Sequence, residues 1–206
     1  MSLQACAQAA VATFPAESVQ TPAGTLPLRA VMVAIAGAES AWADNAAGDP
    51  LSIYRDGGAS EAAYSCGGRT SFGLWQINLP AHYPYLRTAT GSTSPCAWAT
   101  WLYTPGNCAL AALAIYRSQG LGAWTTYSTG AWRAYLPQAQ AAVAAAQPPP
   151  ARGGGVLSSL PPATPVVAGI GVAILAVVAI EAGAADLVVG WLKRRPGRAT
   201  ASGPHG

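Results

Sequence analysis

Leu26-Pro27-Leu28-Arg29-Ala30-Val31-Met32-Val33-Ala34-Ile35-Ala36-Gly37-Ala38-Glu39-Ser40 is an apolar run that ends on an acid. Pro27 suits the first turn of a helix, where its missing N–H removes nothing, and Thr25 is an acceptable cap before it. Leu28, Met32, Ile35 and Glu39 then follow at steps of four, three and four, which is one face of an α-helix. The only acid of that helix therefore belongs to its buried stripe, at the C-terminal end. Desolvation and the partial negative charge of a helix C-terminus both disfavour a carboxylate, so Glu39 is expected to hold its proton unusually well. A carboxyl protonated near neutral pH is what a general acid needs. A Glu that is merely hydrogen-bonded, or exposed at the helix end, is the alternative from this helix alone.

Around this run the chain reads as mainly helical. An Ala-rich helix from about Ala5 to Phe14 and a Pro/Gly/Thr loop precede it. Residues 43–69, rich in Gly, Asp, Asn and Ser with Ile53-Tyr54-Arg55 in the middle, predict a long loop or a small irregular β-hairpin, and long loops in small domains are usually functional or mobile. Ser71-Phe72-Gly73-Leu74-Trp75-Gln76-Ile77-Asn78 starts the next wall, and His82-Tyr83-Pro84-Tyr85 predicts another loop. Cys108–Ser118 is a clear helix closed by Gly120, and Gln138–Gln147 is an Ala-rich terminal one.

Glu39-Ser40, a polar Gly/Asp-rich loop, and then Gly73-Leu74-Trp75-Gln76-Ile77-Asn78 resemble the lytic transglycosylase branch of the lysozyme superfamily. The resemblance runs from about Leu28 to Leu136. It implies a lysozyme-like α+β domain that cleaves the MurNAc-GlcNAc β-1,4 bond of peptidoglycan. It makes Glu39 the sole catalytic acid/base and gives Ser40, Ser71, Gln76, Asn78 and Tyr116 to substrate binding. Glu39 would protonate the glycosidic oxygen, the substrate's N-acetyl group would assist, and Glu39 would then deprotonate the muramic C6 hydroxyl to close a 1,6-anhydro ring, with no metal and no cofactor. The family places Ala-Tyr-Asn on the later helix; here Ile115-Tyr116-Arg117 keeps only the tyrosine.

Glycosidases usually use two carboxylates, and a hydrolytic lysozyme holding a water on Asp49 or Asp56 is the near rival. Trp124, Tyr127, Trp132 and Tyr135 crowd one stretch, and such rings stack on sugar faces when they are not core.

Charge divides the chain. Residues 1–150 hold six Lys/Arg and six Asp/Glu, whereas 151–206 hold five and two, so the net charge of +3 belongs to the tail. A neutral first domain offers no basic surface to nucleic acid. Cys6, Cys66, Cys96 and Cys108 fit no zinc spacing. Their even number allows two disulfides, with Cys96 and Cys108 as the expected pair; small buried thiols are the alternative.

The predicted organisation is a catalytic domain at 1–146, a Pro/Gly-rich linker at 147–165, a single C-terminal transmembrane helix at 166–192 and a basic tail at 193–206. Val166–Ile180 has no polar side chain, Trp191 suits an interface, and Lys193-Arg194-Arg195 stops the run on a cytoplasmic side. Glu181 and Asp186 interrupt it at a cost. Gly169/Ala173 and Ala179/Gly183 suit a helix–helix contact in a homo-oligomer. Met1–Cys6 lacks the features of a signal peptide. The expectation is thus a membrane-associated, wall-facing enzyme carried in a phage virion and used during genome delivery, with a bacterial secretion-system muramidase as runner-up. A non-catalytic glycan-binding or structural virion protein, and a channel built on the tail, are the readings of other classes.

Overall fold

The apolar run forms α2, Leu28–Ser40, in the computed structural model, which describes residues 3–54 and 57–147. Burial goes further than one stripe: Leu28 and every residue from Ala30 to Gly37 are shielded from solvent. A helix that is apolar all round has to be surrounded. α1 (Leu3–Thr13), α7 (Leu136–Ala146) and the 3-10 turn Ala131–Tyr135 pack on it, and α1 also meets α5 (Pro105–Gln119). Indoles packed on a core usually find a partner for their N–H, and three do so at this centre. Trp42 donates to the Val33 carbonyl at 2.9 Å, Trp75 to that of Met32 at 2.8 Å, and Trp124 to that of Trp75 at 3.0 Å.

Entry into α2 differs from the expectation. Residues 18–27 make a two-stranded antiparallel hairpin, β1 (Ser18–Thr21) and β2 (Gly24–Pro27), not a plain loop. Pro27 ends β2 as an extended N-cap, so Thr25, two residues earlier in the strand, does not cap the helix; its hydroxyl accepts from Gln20 Nε2 at 2.7 Å.

The Gly/Asp-rich segment forms a three-stranded antiparallel sheet of order β3 (Ala47–Pro50), β4 (Arg69–Phe72), β5 (Ile77–Asn78). Gly48 pairs with Ser71, and Ser71 pairs with Asn78. α3 (Leu79–Thr90) follows directly, so His82-Tyr83-Pro84-Tyr85 lies inside a helix and the predicted loop is corrected. Asn78 starts that helix by accepting the Ala81 N–H on its side-chain oxygen at 3.1 Å, and Pro80 suits the first turn. Pro84 costs it one bond without ending it. α4 (Pro95–Leu102) and the short α6 (Thr125–Thr129) complete the elements used below.

Cys66 pairs with Cys96, and the expected Cys96–Cys108 bridge does not form. Cys108 is fully buried on the core face of α5, where a Cβ added to Gly73 would lie 2.8 Å from its sulfur, whereas Cys96 is exposed on α4. In the chain-entropy account, closing a loop across the 30-residue separation is worth about 3.5 kcal/mol.

The fold class expected from sequence, mainly α with a lysozyme-like α+β domain and a C-terminal transmembrane helix, is corrected. The described residues form a mostly helical body with two small sheets, and no helix among them is long and apolar enough to cross a membrane. The longest, α5, has 15 residues; at 1.5 Å per residue that is about 22 Å against a hydrocarbon core of about 30 Å. Residues 148–206, with the segment 166–192 on which the span was expected, lie outside the described residues.

Gly37 shows how tightly α2 is enclosed. A Cβ there would meet Tyr135 at 2.6 Å and Trp42 at 2.8 Å, two packed rings 5.2 Å apart in edge contact. Alanine is the better helix former by about 1 kcal/mol, but overpacking costs about 1–3 kcal/mol. Gly37→Ala is therefore expected to lower the urea midpoint; an unchanged or higher midpoint would show that the enclosure is loose.

Candidate active site

α2 carries Glu39 to the edge of its enclosure, where burial gives way to half-burial over Ala38, Glu39 and Ser40. The helix then stops abruptly. Ala41 and Trp42 both take left-handed conformations, φ 51° and 61°, and the Ala41 N–H closes on the Gly37 carbonyl. Among the described residues the other non-glycine positions with positive φ are Asp49 and Gln76. Left-handed backbone costs an ordinary L-residue about 1–2 kcal/mol, and such outliers gather where a structure imposes a special geometry. Ala41 and Trp42 directly follow the first run singled out above, Gln76 lies within the second, and Asp49 is bonded to Ser71 of the second.

The Glu39 carboxylate accepts from the Thr126 hydroxyl, Oε1 to Oγ1 2.6 Å. Burial raises its pKa above the usual carboxylate range, and the negative charge of Asp49 raises it further; the hydroxyl and the backbone N–H of Thr126 pull the other way. Glu39 is thus a partly desolvated acid held by Thr126 and within electrostatic reach of a second acid, Asp49.

Asp49 is fixed by two converging chains of hydrogen bonds. The Ser71 hydroxyl donates to its carboxylate, and Asn78 Nδ2 lies 3.3 Å from Ser71 Oγ. Asn78 Nδ2 also donates to the Tyr54 hydroxyl at 2.9 Å. Thr70 spends its proton on the Asp49 carbonyl at 2.9 Å, so Tyr54 is the donor in its 2.9 Å contact with Thr70. Thr70 and Ser71 are buried, so this network is part of the interior of the sheet. A closed polar network of this kind holds one geometry.

The residues expected to bind substrate separate accordingly. Ser40 is structural: its hydroxyl lies 2.9 Å from both the Ala36 and the Leu74 carbonyls and ties the end of α2 to the Gly73-Leu74-Trp75-Gln76 turn. Ser71, 1% exposed, holds Asp49. Asn78 caps α3 and feeds both chains. Gln76 is half-buried and folds back, its Nε2 donating to the Gly73 carbonyl at 3.0 Å; its Oε1 occupies the space a Cβ on Gly48 would need. Tyr116 is not brought to Glu39. Its hydroxyl donates to Glu17 at 3.3 Å, and the Glu17 carbonyl receives the N–H of Leu28, the first residue of α2. Eleven residues of helix, about 16 Å, separate Leu28 from Glu39.

Thr126, Tyr54 and Thr70 were not singled out from the sequence. Threonine and tyrosine carry no motif here, and only the fold brings α6 and the sheet to the end of α2. One turn into α3, His82 and Tyr85 line a cleft of about 180 Å³ with Ala114, Ile115 and Ser118; burial pushes the His82 imidazole down to about 4, so it is neutral at pH 7. Among the described residues no three His, Cys, Asp or Glu side chains gather as a metal site.

Comparison with known protein families, with curated proteins and with solved structures gives no match.

The two neighbours of Glu39 make opposite predictions. Thr126→Val removes a donor to the ionised form, so the Glu39 pKa rises further. Asp49→Asn removes a negative charge, so it falls. Carboxyl-carbon NMR titration of the two variants is expected to show displacements of opposite sign; displacements of the same sign would break this account of the site.

Proposed function

We propose that this chain cleaves the glycan strands of peptidoglycan, with Glu39 as proton donor and then proton acceptor. The observation that carries the reading is the placement of Glu39: a half-buried carboxyl at the open end of an otherwise enclosed helix, its pKa raised by desolvation and by the charge of Asp49. The resemblance of Glu39-Ser40 and Gly73-Leu74-Trp75-Gln76 to lytic transglycosylases supports the same chemistry. Protonated Glu39 gives its hydrogen to the glycosidic oxygen as the bond breaks. The carboxylate left behind takes the proton of the muramic C6 hydroxyl, which closes the 1,6-anhydro ring, so one residue begins and ends the cycle in the same state. Gln76 lies half-buried on the turn next to Ser40's anchor and is the amide proposed to meet sugar, whereas the Asn78 amide is taken up by Ala81, Tyr54 and Ser71. A setting outside the cell, at the wall or on a virion that meets it, is supported by the Cys66–Cys96 disulfide, since such bonds persist in oxidising surroundings.

Asp49 gives weight to a hydrolytic alternative. Its carboxylate is held by Ser71, and its charge is felt at Glu39. Hydrolysis would need it to position a water on the far face of the sugar.

Glu39→Gln keeps the shape of the side chain and removes the transferable proton. Positioned acid–base catalysis is worth about 10²–10⁴-fold, so muropeptide release from purified peptidoglycan is expected to fall by at least that range. Folding is expected to be as good or better at pH 7. A carboxyl whose folded pKa is raised loses stability as pH rises through the window above its unfolded value, and glutamine has no such loss. Undiminished release by a folded Glu39→Gln protein would remove Glu39 from the mechanism.

A further inference from the structure

We propose that the Cys66–Cys96 disulfide is a redox switch for this site: closed, it holds the sheet that carries Asp49 and Ser71; reduced, it lets that sheet loosen and silences the enzyme. The inference rests on the reading of function above and adds its regulation.

The mechanical path is short. Cys66 and Arg69 form a β-bridge with both of its hydrogen bonds, Cys66 N–H to the Arg69 carbonyl at 3.0 Å and the reverse at 3.1 Å. Gly67 and Gly68 between them have φ 59° and 72°, the two positive values of a tight hairpin turn that only such residues make freely. Arg69 begins β4 and pairs with Pro50, the neighbour of Asp49; Thr70 and Ser71 follow it. The other end of the bridge is on α4, whose Trp98 and Leu102 are buried in the core. The disulfide therefore fastens the end of the β3–β4 sheet to a rigid helix, three residues from Arg69 and five from Ser71. Besides it, the same region is held by the Leu51 N–H on the Gly68 carbonyl at 3.1 Å and by the Tyr64 and Tyr83 rings, 4.7 Å apart.

Access divides the cysteines into two kinds. Cys96 is exposed and Cys66 half-buried, so a thiol in solution can reach this bridge. Cys6 and Cys108 are completely buried, and burial pushes both thiols up, that of Cys108 to about 12. Thiolates are the attacking species in exchange, so neither core cysteine intervenes. Reduction by a dithiol breaks the Cys66–Cys96 bond; each sulfur gains one electron and one proton, and the dithiol gives up both hydrogens and closes its own disulfide. A low-molecular-weight disulfide such as oxidised glutathione reverses the exchange. The enzyme would be idle in a thiol-rich cytosol and active outside it.

The test uses the full chain, oxidised or treated with dithiothreitol and then iodoacetamide without denaturant. Mass spectrometry is expected to find two carbamidomethyl groups, on Cys66 and Cys96 alone. Hydrogen exchange of the amides of 69–72 is expected to accelerate at least tenfold while those of 31–37 stay protected, and muropeptide release to fall at least tenfold, returning when unalkylated protein is reoxidised with glutathione disulfide. A Cys66→Ser/Cys96→Ser variant is expected to match the reduced protein in either condition. Unchanged exchange at 69–72 after confirmed cleavage, or full release by the reduced protein, would overturn the switch. A chain that releases nothing even when oxidised contradicts the enzymatic reading instead, and the exchange result then decides on its own whether bridge and sheet are coupled.

Discussion

The structure depends on one constraint: α2 is apolar on every side and must be enclosed along its length. Helix propensity alone would not hold this 13-residue segment, because isolated helices of that length are marginal in water and Gly37 is a poor helix former. Enclosure holds it. α1, α7 and the turn before α7 supply the walls, and the indole N–H groups of Trp42 and Trp75 dock on carbonyls within the helix. An enclosed helix can present chemistry only where the enclosure opens. That place is its C-terminal end, and the residue standing there is Glu39.

From this follows the division of labour around the acid. The residues after Glu39 leave the helix through two left-handed positions, and Ser40 ties that exit to the Leu74 carbonyl. The turn at Leu74 leads into β5 and α3 through Asn78, whose amide reaches back to Ser71 and Tyr54 and so to Asp49. Helix end, turn and sheet are thus one connected piece, and the two carboxylates belong to it together. The charge of Asp49 disfavours ionisation of Glu39. Thr126 limits the effect by favouring the ionised form. An acid proposed both to give and to take a proton is best kept from either extreme.

Much of this was legible in the chain, and the failures have physical causes. The helix from Leu28, the helix ended by Gly120 and the Ala-rich last helix were visible because apolar periodicity and Gly/Pro punctuation agree there. The β1–β2 hairpin is hidden because its strands are four residues long and bury none of their residues, so each carries one apolar anchor, Val19 or Leu26, too few to read as a strand. α3 is hidden by Pro84, which reads as a breaker although it lies inside a helix that is capped by Asn78 and packed through Leu79 and Leu86. Spacing suggested Cys96 and Cys108 as partners because they are near in sequence, but they sit on faces of opposite kind, one exposed and one core. Within the site, Glu39 was marked by its place on the helix. The motif points Ser71 and Ser40 toward sugar, and in the fold their hydroxyls bond to Asp49 and to the Ala36 and Leu74 carbonyls. Tyr116 matched a pattern and points elsewhere, to Glu17. Thr126 left no trace in the sequence because its role exists only once α6 meets α2.

The central claim is that Glu39 alone carries both proton transfers, and the chemical ends of the product report on it directly. Purified peptidoglycan digested by the full chain and separated by liquid chromatography gives muropeptides that can be weighed. Ring closure by the C6 hydroxyl leaves 1,6-anhydro-muramyl ends, lighter by one water than the reducing ends a hydrolase leaves. The account predicts anhydro ends. Reducing ends would contradict it and would make Asp49, held by Ser71, the partner that positions the attacking water.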